Sequence, residues 1–233
     1  MTGFLGRPGQ GRTFTGRQRV RLGDTFSNGT LRPDAAVRYL QDVATDDWDD
    51  TGISTGALWV VRRTSLRLVS GGRWPTLGEY VDLTTWCSGS GAAWAERRTD
   101  LEVEGKVLVE AVALWVPLDP TMRPKRIDDA FRAVYGEAAN GRKIPGRVES
   151  PVVPDDATRE PWPLRRVDLD VAGHVNNAAS WTALVEVAGE GVGEATLIHH
   201  GPVEIFAPVE LARTPGGLWL LQDGVVKVSA RYR

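Results

Sequence analysis

Asp170 and His174 lie four residues apart in the run Val167-Asp168-Leu169-Asp170-Val171-Ala172-Gly173-His174-Val175-Asn176-Asn177. A carboxylate can take a proton from water or attack a carbonyl carbon itself. An imidazole can donate a hydrogen bond or orient water near neutral pH. The run is polar and contains glycine, and it sits between a strand-like and a helix-like stretch. A turn at a helix start collects backbone N–H groups that have no intrahelical acceptor. Such groups can hold the oxygen of a carbonyl that gains charge during attack. The combination points to acyl transfer. Asp170 would be base or nucleophile, and His174 and the N–H groups near Asn177 would face the oxyanion. Asn176 and Asn177 are also typical helix-start residues, so capping is a second role open to both.

Other polar residues carry less chemistry. His199 and His200 are adjacent on a strand, point to opposite faces, and read as solvated. Glu186 reads either as a surface charge or as a partner of the turn. Cys87 is the only cysteine, which excludes an intrachain disulfide and a cysteine zinc cluster and leaves Cys87 as a small core residue. No metal ligand set stands out, and no metal or redox cofactor is implied. A net charge of −2 argues against a general nucleic-acid binder. No apolar run reaches membrane-span length. The start, Met1 to Gly16, lacks the apolar stretch of a signal peptide, so the expected location is cytoplasmic.

The elements that must position the turn follow from periodicity. Arg17 to Leu22 alternates polar and apolar and reads as a strand. A helix fits Pro33 to Asp50, with apolar Val37, Leu40, Ala44 and Trp48 at spacings of three and four, and Thr51-Gly52 as its stop. Strands are expected near Leu58 to Val69, Glu79 to Ser88, Ala93 to Val103 and Lys106 to Val116. The last two are joined by a tight turn at Glu104-Gly105. Pro117 to Trp162 reads as irregular, with a short helix near Asp128 to Tyr135. The order then repeats: a strand over Leu164 to Leu169, the polar turn, and a helix from Asn177 to about Glu190. Strands follow near Ala195 to Leu211, Leu218 to Leu221 and Val225 to Tyr232. This second half looks a strand short, the missing one lost or hidden in Glu210 to Thr214.

The repeat is visible residue by residue. Asp24, Gly29, Ala35, Leu40, Val43 and Ala44 recur as Asp168, Gly173, Ala179, Leu184, Val187 and Ala188, at a constant offset of 168 − 24 = 144. A duplicated unit explains this better than coincidence. Each half is then an α+β unit of one long helix and an antiparallel sheet, and two such units can pair side by side into one shared sheet. The expected division is a mobile tail over 1–12, a first domain over 13–119, a linker over 120–162 and a second domain over 163–233. Thr30 stands where His174 stands and Phe26 where Asp170 stands. Catalysis therefore belongs to the second half, while the first half can shape an acyl pocket.

This layout resembles the acyl-acyl-carrier-protein thioesterases best known from plant plastids, built as two hot-dog domains in tandem. The resemblance rests on Leu58-Trp59-Val60-Val61, Arg63, Pro75-Thr76-Leu77-Gly78-Glu79, Trp86, Arg97-Arg98 and Leu114-Trp115-Val116 in the first half. In the second half it rests on Asp168-Leu169-Asp170-Val171 with His174-Val175-Asn176-Asn177, Glu186, and the tail Leu221-Gln222-Asp223-Gly224 with Arg231. The plant pattern has Asn two residues before the active-site His, where this chain has Ala172. It also has an adjacent Glu and Cys on a later strand. Counted from Glu204, those places hold Pro208 and Val209. Asp170-x-x-Gly173-His174-Val175-Asn176-Asn177 is similar as well to the 4-hydroxybenzoyl-coenzyme-A-type hot-dog thioesterases. There the aspartate is base or nucleophile, and a backbone N–H at the helix start is the oxyanion donor.

The resemblance implies a thioester hydrolase releasing a free fatty acid from acyl carrier protein, with Asp170, His174 and Asn177 as the catalytic set. It implies Trp48, Trp59, Arg63 and Trp181 as substrate-binding residues. Arg62-Arg63, Arg97-Arg98 and Arg165-Arg166 become candidates for contact with an acidic carrier. An acyl-coenzyme-A thioesterase is the nearest alternative. A non-catalytic acyl-thioester binder is the alternative from another class, motivated by Ala172, Pro208 and Val209. Either a monomeric pseudo-dimer or a homodimer fits the duplication.

Overall fold

The computed structural model describes residues 4–54, 56–171 and 173–233. Strand β1 (Thr13–Arg19) precedes helix α1 (Pro33–Thr51), followed by β2 (Leu58–Leu68), β3 (Tyr80–Ser90), β4 (Ala95–Val103) and β5 (Lys106–Leu118). Helix α2 (Asp129–Ala139) and strand β6 (Thr158–Trp162) lie within the stretch expected as a linker. Helix α3 (Asn177–Ala188) and strands β7 (Glu194–His199), β8 (Val209–Thr214), β9 (Gly217–Gln222) and β10 (Val225–Tyr232) complete the chain. The strands form one ten-stranded sheet in the order β1-β3-β4-β5-β2-β7-β10-β9-β8-β6.

Read outward from the β2–β7 seam, the two sides mirror one another, five strands each. The seam is antiparallel and pairs Arg63 with Ile198 through Arg67 with Glu194. Ser65 Oγ and Thr196 Oγ1 share a hydrogen bond of 2.8 Å across it. The hairpin between β4 and β5 turns on Glu104 and Gly105 (φ 52° and 75°), and that between β9 and β10 on Asp223 and Gly224 (φ 52° and 73°). Left-handed conformation at both central residues gives the twist that suits a tight hairpin. α1 and α3 pack against each other and share one core with the sheet: Val37, Leu40 and Val43 from α1, Trp181 and Leu184 from α3, Leu66, Leu83 and Leu197 from the strands. Burying each such side chain stabilises the fold by roughly 1.5–3 kcal/mol. α1 stops where expected, on Gly52 in the left-handed conformation (φ 64°).

Several expectations need correction. The strands expected over Arg17 to Leu22 and Leu164 to Leu169 start four and six residues earlier, as β1 and β6. In their place stand 3-10 turns, Leu22–Asp24 and Arg166–Asp168, each drawn tight because the aspartate carboxylate accepts the N–H of Arg21 (3.0 Å) or Arg165 (2.8 Å). The run from Ala195 to Leu211 is two strands, broken over 200–208, and the hidden strand is β8. β6 pairs with β8, so the second half's sheet begins at Thr158. Residues 4–12, expected as a mobile tail, lie along the first half. The Arg7 guanidinium meets Asp100 and Glu102, and Arg12 Nε donates to Asp47 (2.7 Å). His199 is buried rather than solvated, and His200 Nε2 is 2.8 Å from Ser229 Oγ.

Burial pushes the His199 imidazole down to about 3, helped by the nearby positive charge of Arg62, and His200 is lowered by the same two causes. A histidine neutral in the native state takes up a proton only on unfolding. Stability is therefore complete above about pH 6.5 and is lost as pH falls toward the folded value, by up to about 1.4 kcal/mol per pH unit for each group. Melting temperatures between about pH 7 and pH 5, above the range where carboxylates titrate, should fall for wild type and fall less steeply in His199→Leu, where only the His200 contribution remains. An equally steep fall in that variant would assign the dependence elsewhere.

Candidate active site

The turn that carries Asp170 and His174 is built twice in this chain. Asp24 N–H bonds to Arg21 O, Phe26 N–H to Thr30 O, Gly29 N–H to Phe26 O and Arg32 N–H to Asp24 O. In the second half Asp168 N–H bonds to Arg165 O, Asp170 N–H to His174 O (2.9 Å), Gly173 N–H to Asp170 O (3.0 Å) and Asn176 N–H to Asp168 O (2.7 Å). Every partner is displaced by 144, since 165 − 21 = 144 and 176 − 32 = 144. The flanking bridges Thr25–Leu31 and Leu169–Val175 obey the same offset, as do the helix starts at Pro33 and Asn177. The backbone is therefore common, and only the side chains differ. The first half spends its turn on structure: the Asp24 carboxylate accepts from Tyr39 (2.6 Å) and Arg38 (3.3 Å). Burial opposes ionisation of Asp24, but these bonds and the Arg21 N–H outweigh it and hold the carboxyl below its ordinary value.

In the second half the buried Asp168 carboxylate clamps Arg165, through Nη2 (2.8 Å) and the backbone N–H (2.8 Å), and so fixes the entry to the turn. Asp168 ends a 3-10 turn, where a strand end was expected. Gly173 takes φ 76°, open to glycine at no steric cost. Asn176 caps α3, its Oδ1 accepting from Ala178 N–H at 2.8 Å. Asn177 is the first helical residue, so its N–H belongs to the turn of donors without intrahelical acceptors. Asn177 lines a narrow cavity of about 10 Å³ together with Val37 and Leu40 of α1, Val61 of β2, and Ala113 and Trp115 of β5. Ala172 lies outside the described residues.

The structure brings His174 beside a residue that the sequence reading used only as a counting marker. His174 Nε2 is 3.8 Å from Glu204 Oε1, both side chains partly exposed. Val203 O accepts from Val175 N–H (3.3 Å), so the 201–208 loop lies against the turn. That loop is held by the buried amide of Gln222. Its Oε1 accepts from Glu204 N–H (3.0 Å), and its Nε2 donates to Glu204 O (2.7 Å) and Ala207 O (3.1 Å). Gln222 stood in the tail quoted for the resemblance, which was the available signal. Pro208 ends this loop and Val209 opens β8, paired with Trp162 and Gln222.

The expected substrate residues separate. Trp48 and Trp59 stand 6.0 Å apart, and Trp59 stacks on Phe131 of α2 at 5.2 Å, in a second hydrophobic cluster that shares no residue with the cavity lining. Arg63 lies across a β-bulge from Val61 and reaches Glu96 at 3.8 Å. Trp181 is fully buried one turn along α3 from Asn177, on the same helix face. Glu186 is exposed. Of the arginine pairs, Arg97 and Arg98 are tied into ion pairs with Asp47, Asp100 and Glu110, and Arg165 into one with Asp168; Arg166 is exposed beside the turn. Among the described residues no group of His, Cys, Asp and Glu could hold a metal ion.

Two family models match this chain: the acyl-ACP thioesterase N-terminal domain over residues 11–135, and the acyl-ACP thioesterase C-terminal domain over residues 153–210. An uncharacterized protein of Mycobacterium tuberculosis is 27% identical over 208 residues, covering 88% of this chain and 81% of its own. Oleoyl-acyl carrier protein thioesterase 1 of Arabidopsis thaliana is 27% identical over 187 residues, 68% of this chain and 50% of its own. Among solved structures, the 12:0-ACP thioesterase of Umbellularia californica superposes with a TM-score of 0.77 at 19% identity over 95% of this chain and 96% of its own. An acyl-ACP thioesterase of Bacteroides thetaiotaomicron does so with 0.77 at 13% identity over 94% and 96%. The fold is thus the tandem hot-dog arrangement that the resemblance implied.

If Gln222 is the clamp on the Glu204 loop, Gln222→Leu should speed amide exchange over 201–208 by at least about tenfold. The β9–β10 amides should keep their protection. Unchanged exchange in the loop would show that other contacts hold Glu204 in place.

Proposed function

The chain belongs to the acyl-ACP thioesterase family, and from that premise we propose that it hydrolyses fatty acyl thioesters of acyl carrier protein at the Asp170–His174 turn. The observation that carries this reading is the position of Asn177. It opens the helix of the second half, yet lines a small cavity walled by the first half, so the helix start that follows the turn meets a space with an aliphatic side for an acyl chain. Val37, Leu40, Val61, Ala111 and Ala113 supply the apolar wall. The space has room for roughly one water, so it must widen to take a chain.

In this reading the Asp170 carboxylate takes a proton from water, whose oxygen bonds to the thioester carbonyl carbon. The carbonyl oxygen gains the negative charge and is held by helix-start N–H groups near Asn177 and by His174. Glu204 positions His174. The intermediate collapses by breaking the C–S bond, and the proton held by Asp170 passes to the departing thiolate. The products are a free fatty acid and the carrier thiol, and no metal or redox cofactor takes part. The carrier would meet the rim of the turn, where Val167, Val171 and Phe206 are exposed hydrophobics and Arg166 is an exposed cation. A carrier that is a protein uses such a rim, whereas coenzyme A does not need it.

The test is hydrolysis of a chain-length series presented both on acyl carrier protein and on coenzyme A. Wild type should turn over the carrier-protein series faster, and Asp170→Asn should lower kcat by at least about a hundredfold with a smaller change in KM. Preference for the coenzyme A series would move the substrate to the smaller carrier. A folded wild type that binds the thioesters and leaves them intact would make this chain an acyl-thioester binder.

A further inference from the structure

The cavity beside Asn177 is more polar than an alkyl chain requires. Gln41, Thr64, Arg97, Thr99 and Trp115 share its lining with the aliphatic residues. A buried donor left without an acceptor loses its water and gains nothing in return, so such groups are rare unless a ligand completes them. Trp115 Nε1 is buried and has no hydrogen-bond partner among the described residues. An indole nitrogen donates only, so what completes it must bring an acceptor oxygen.

The charge in the cavity decides which oxygen. Arg97 Nη1 already donates to Asp47 Oδ2 (2.6 Å) and Thr85 Oγ1 (3.2 Å). Its positive charge is answered by a buried carboxylate, so the cavity does not call for a second anion. A neutral oxygen fits, and a carboxylate-bearing chain does not. Its position follows from size. Trp115 pairs with Val61 across β5 and β2, and both share with Asn177 a space of about 10 Å³. A space this small that touches both Asn177 and Trp115 makes them neighbours, so an oxygen near the thioester end of the chain is the one within reach of Trp115.

Resting on the thioesterase reading, we propose that the preferred acyl group carries a neutral oxygen close to the thioester, as in a 3-oxo or 3-hydroxy acyl chain, and that this oxygen accepts a hydrogen bond from Trp115 Nε1, with Thr64 also lining the cavity. A site built around a hydrogen bond discriminates against the analogue that lacks it, because the donor is then left unpaired. The wild-type ratio of kcat/KM for 3-oxo or 3-hydroxy over unsubstituted acyl thioesters, matched in chain length and carrier, should be about ten or more. Trp115→Phe keeps the ring and deletes the donor, and should bring that ratio close to one. Thr64→Val, matched in shape, should lower it partway. A wild-type ratio near one, or a ratio unchanged in a folded Trp115→Phe variant, overturns the inference while leaving hydrolysis itself in place. If no thioester is hydrolysed, the function reading fails instead. The same substrate pairs compared by calorimetric affinity in wild type and Trp115→Phe then decide the inference by the same ratios.

Discussion

The antiparallel seam between β2 and β7 is the constraint on which the rest of the molecule depends. Five residue pairs, Arg63 with Ile198 to Arg67 with Glu194, join two half-sheets that would otherwise each end in an open edge. Once the seam forms, α1 and α3 must lie side by side over one continuous sheet and can share a core. The same pairing sets the second half's helix start above the first half's cavity. Neither half forms the candidate site alone: the turn with Asp170 and His174 comes from one, and the other residues around the Asn177 cavity come from the other.

Duplication explains the scaffold, and divergence within it explains the site. The two turns share their backbone hydrogen bonds at one constant offset. In the first, Phe26 and Thr30 occupy the places of Asp170 and His174, and polar capacity goes inward to Tyr39, Arg38 and Asp24. In the second, Asp168 and Arg165 form the clamp, and the places of Phe26 and Thr30 carry an acid and an imidazole. A turn already stable by its backbone bonds can change its outward side chains at little cost to folding.

Buried charge is the other recurring element. Asp47 accepts from Arg12 Nε, Arg97 Nη1 and Tyr135 Oη at once, and Tyr135 is pushed up to about 12 chiefly by burial, with Asp47 adding to it. These bonds tie residues near the tail, the end of α1, β4 and α2 to one carboxylate. Pairs this well connected specify a unique packing more than they add stability. They also explain why Arg97 is no simple docking cation despite the local run of arginines.

Local signals were enough for much of this. The repeat at 144, the helix from Pro33 with its Gly52 stop, the Glu104-Gly105 hairpin and the candidate turn were all legible, because periodicity, caps and turn residues act over a few positions. β1 and β6 were misplaced because a short alternating run cannot be told from a 3-10 turn closed by an aspartate. The burial of His199, the Gln222 clamp on Glu204, and the meeting of Asn177 with Val61 and Trp115 were decided only by tertiary structure. They depend on which strands, far apart in the chain, exchange backbone hydrogen bonds and in which register, and no local pattern encodes that choice.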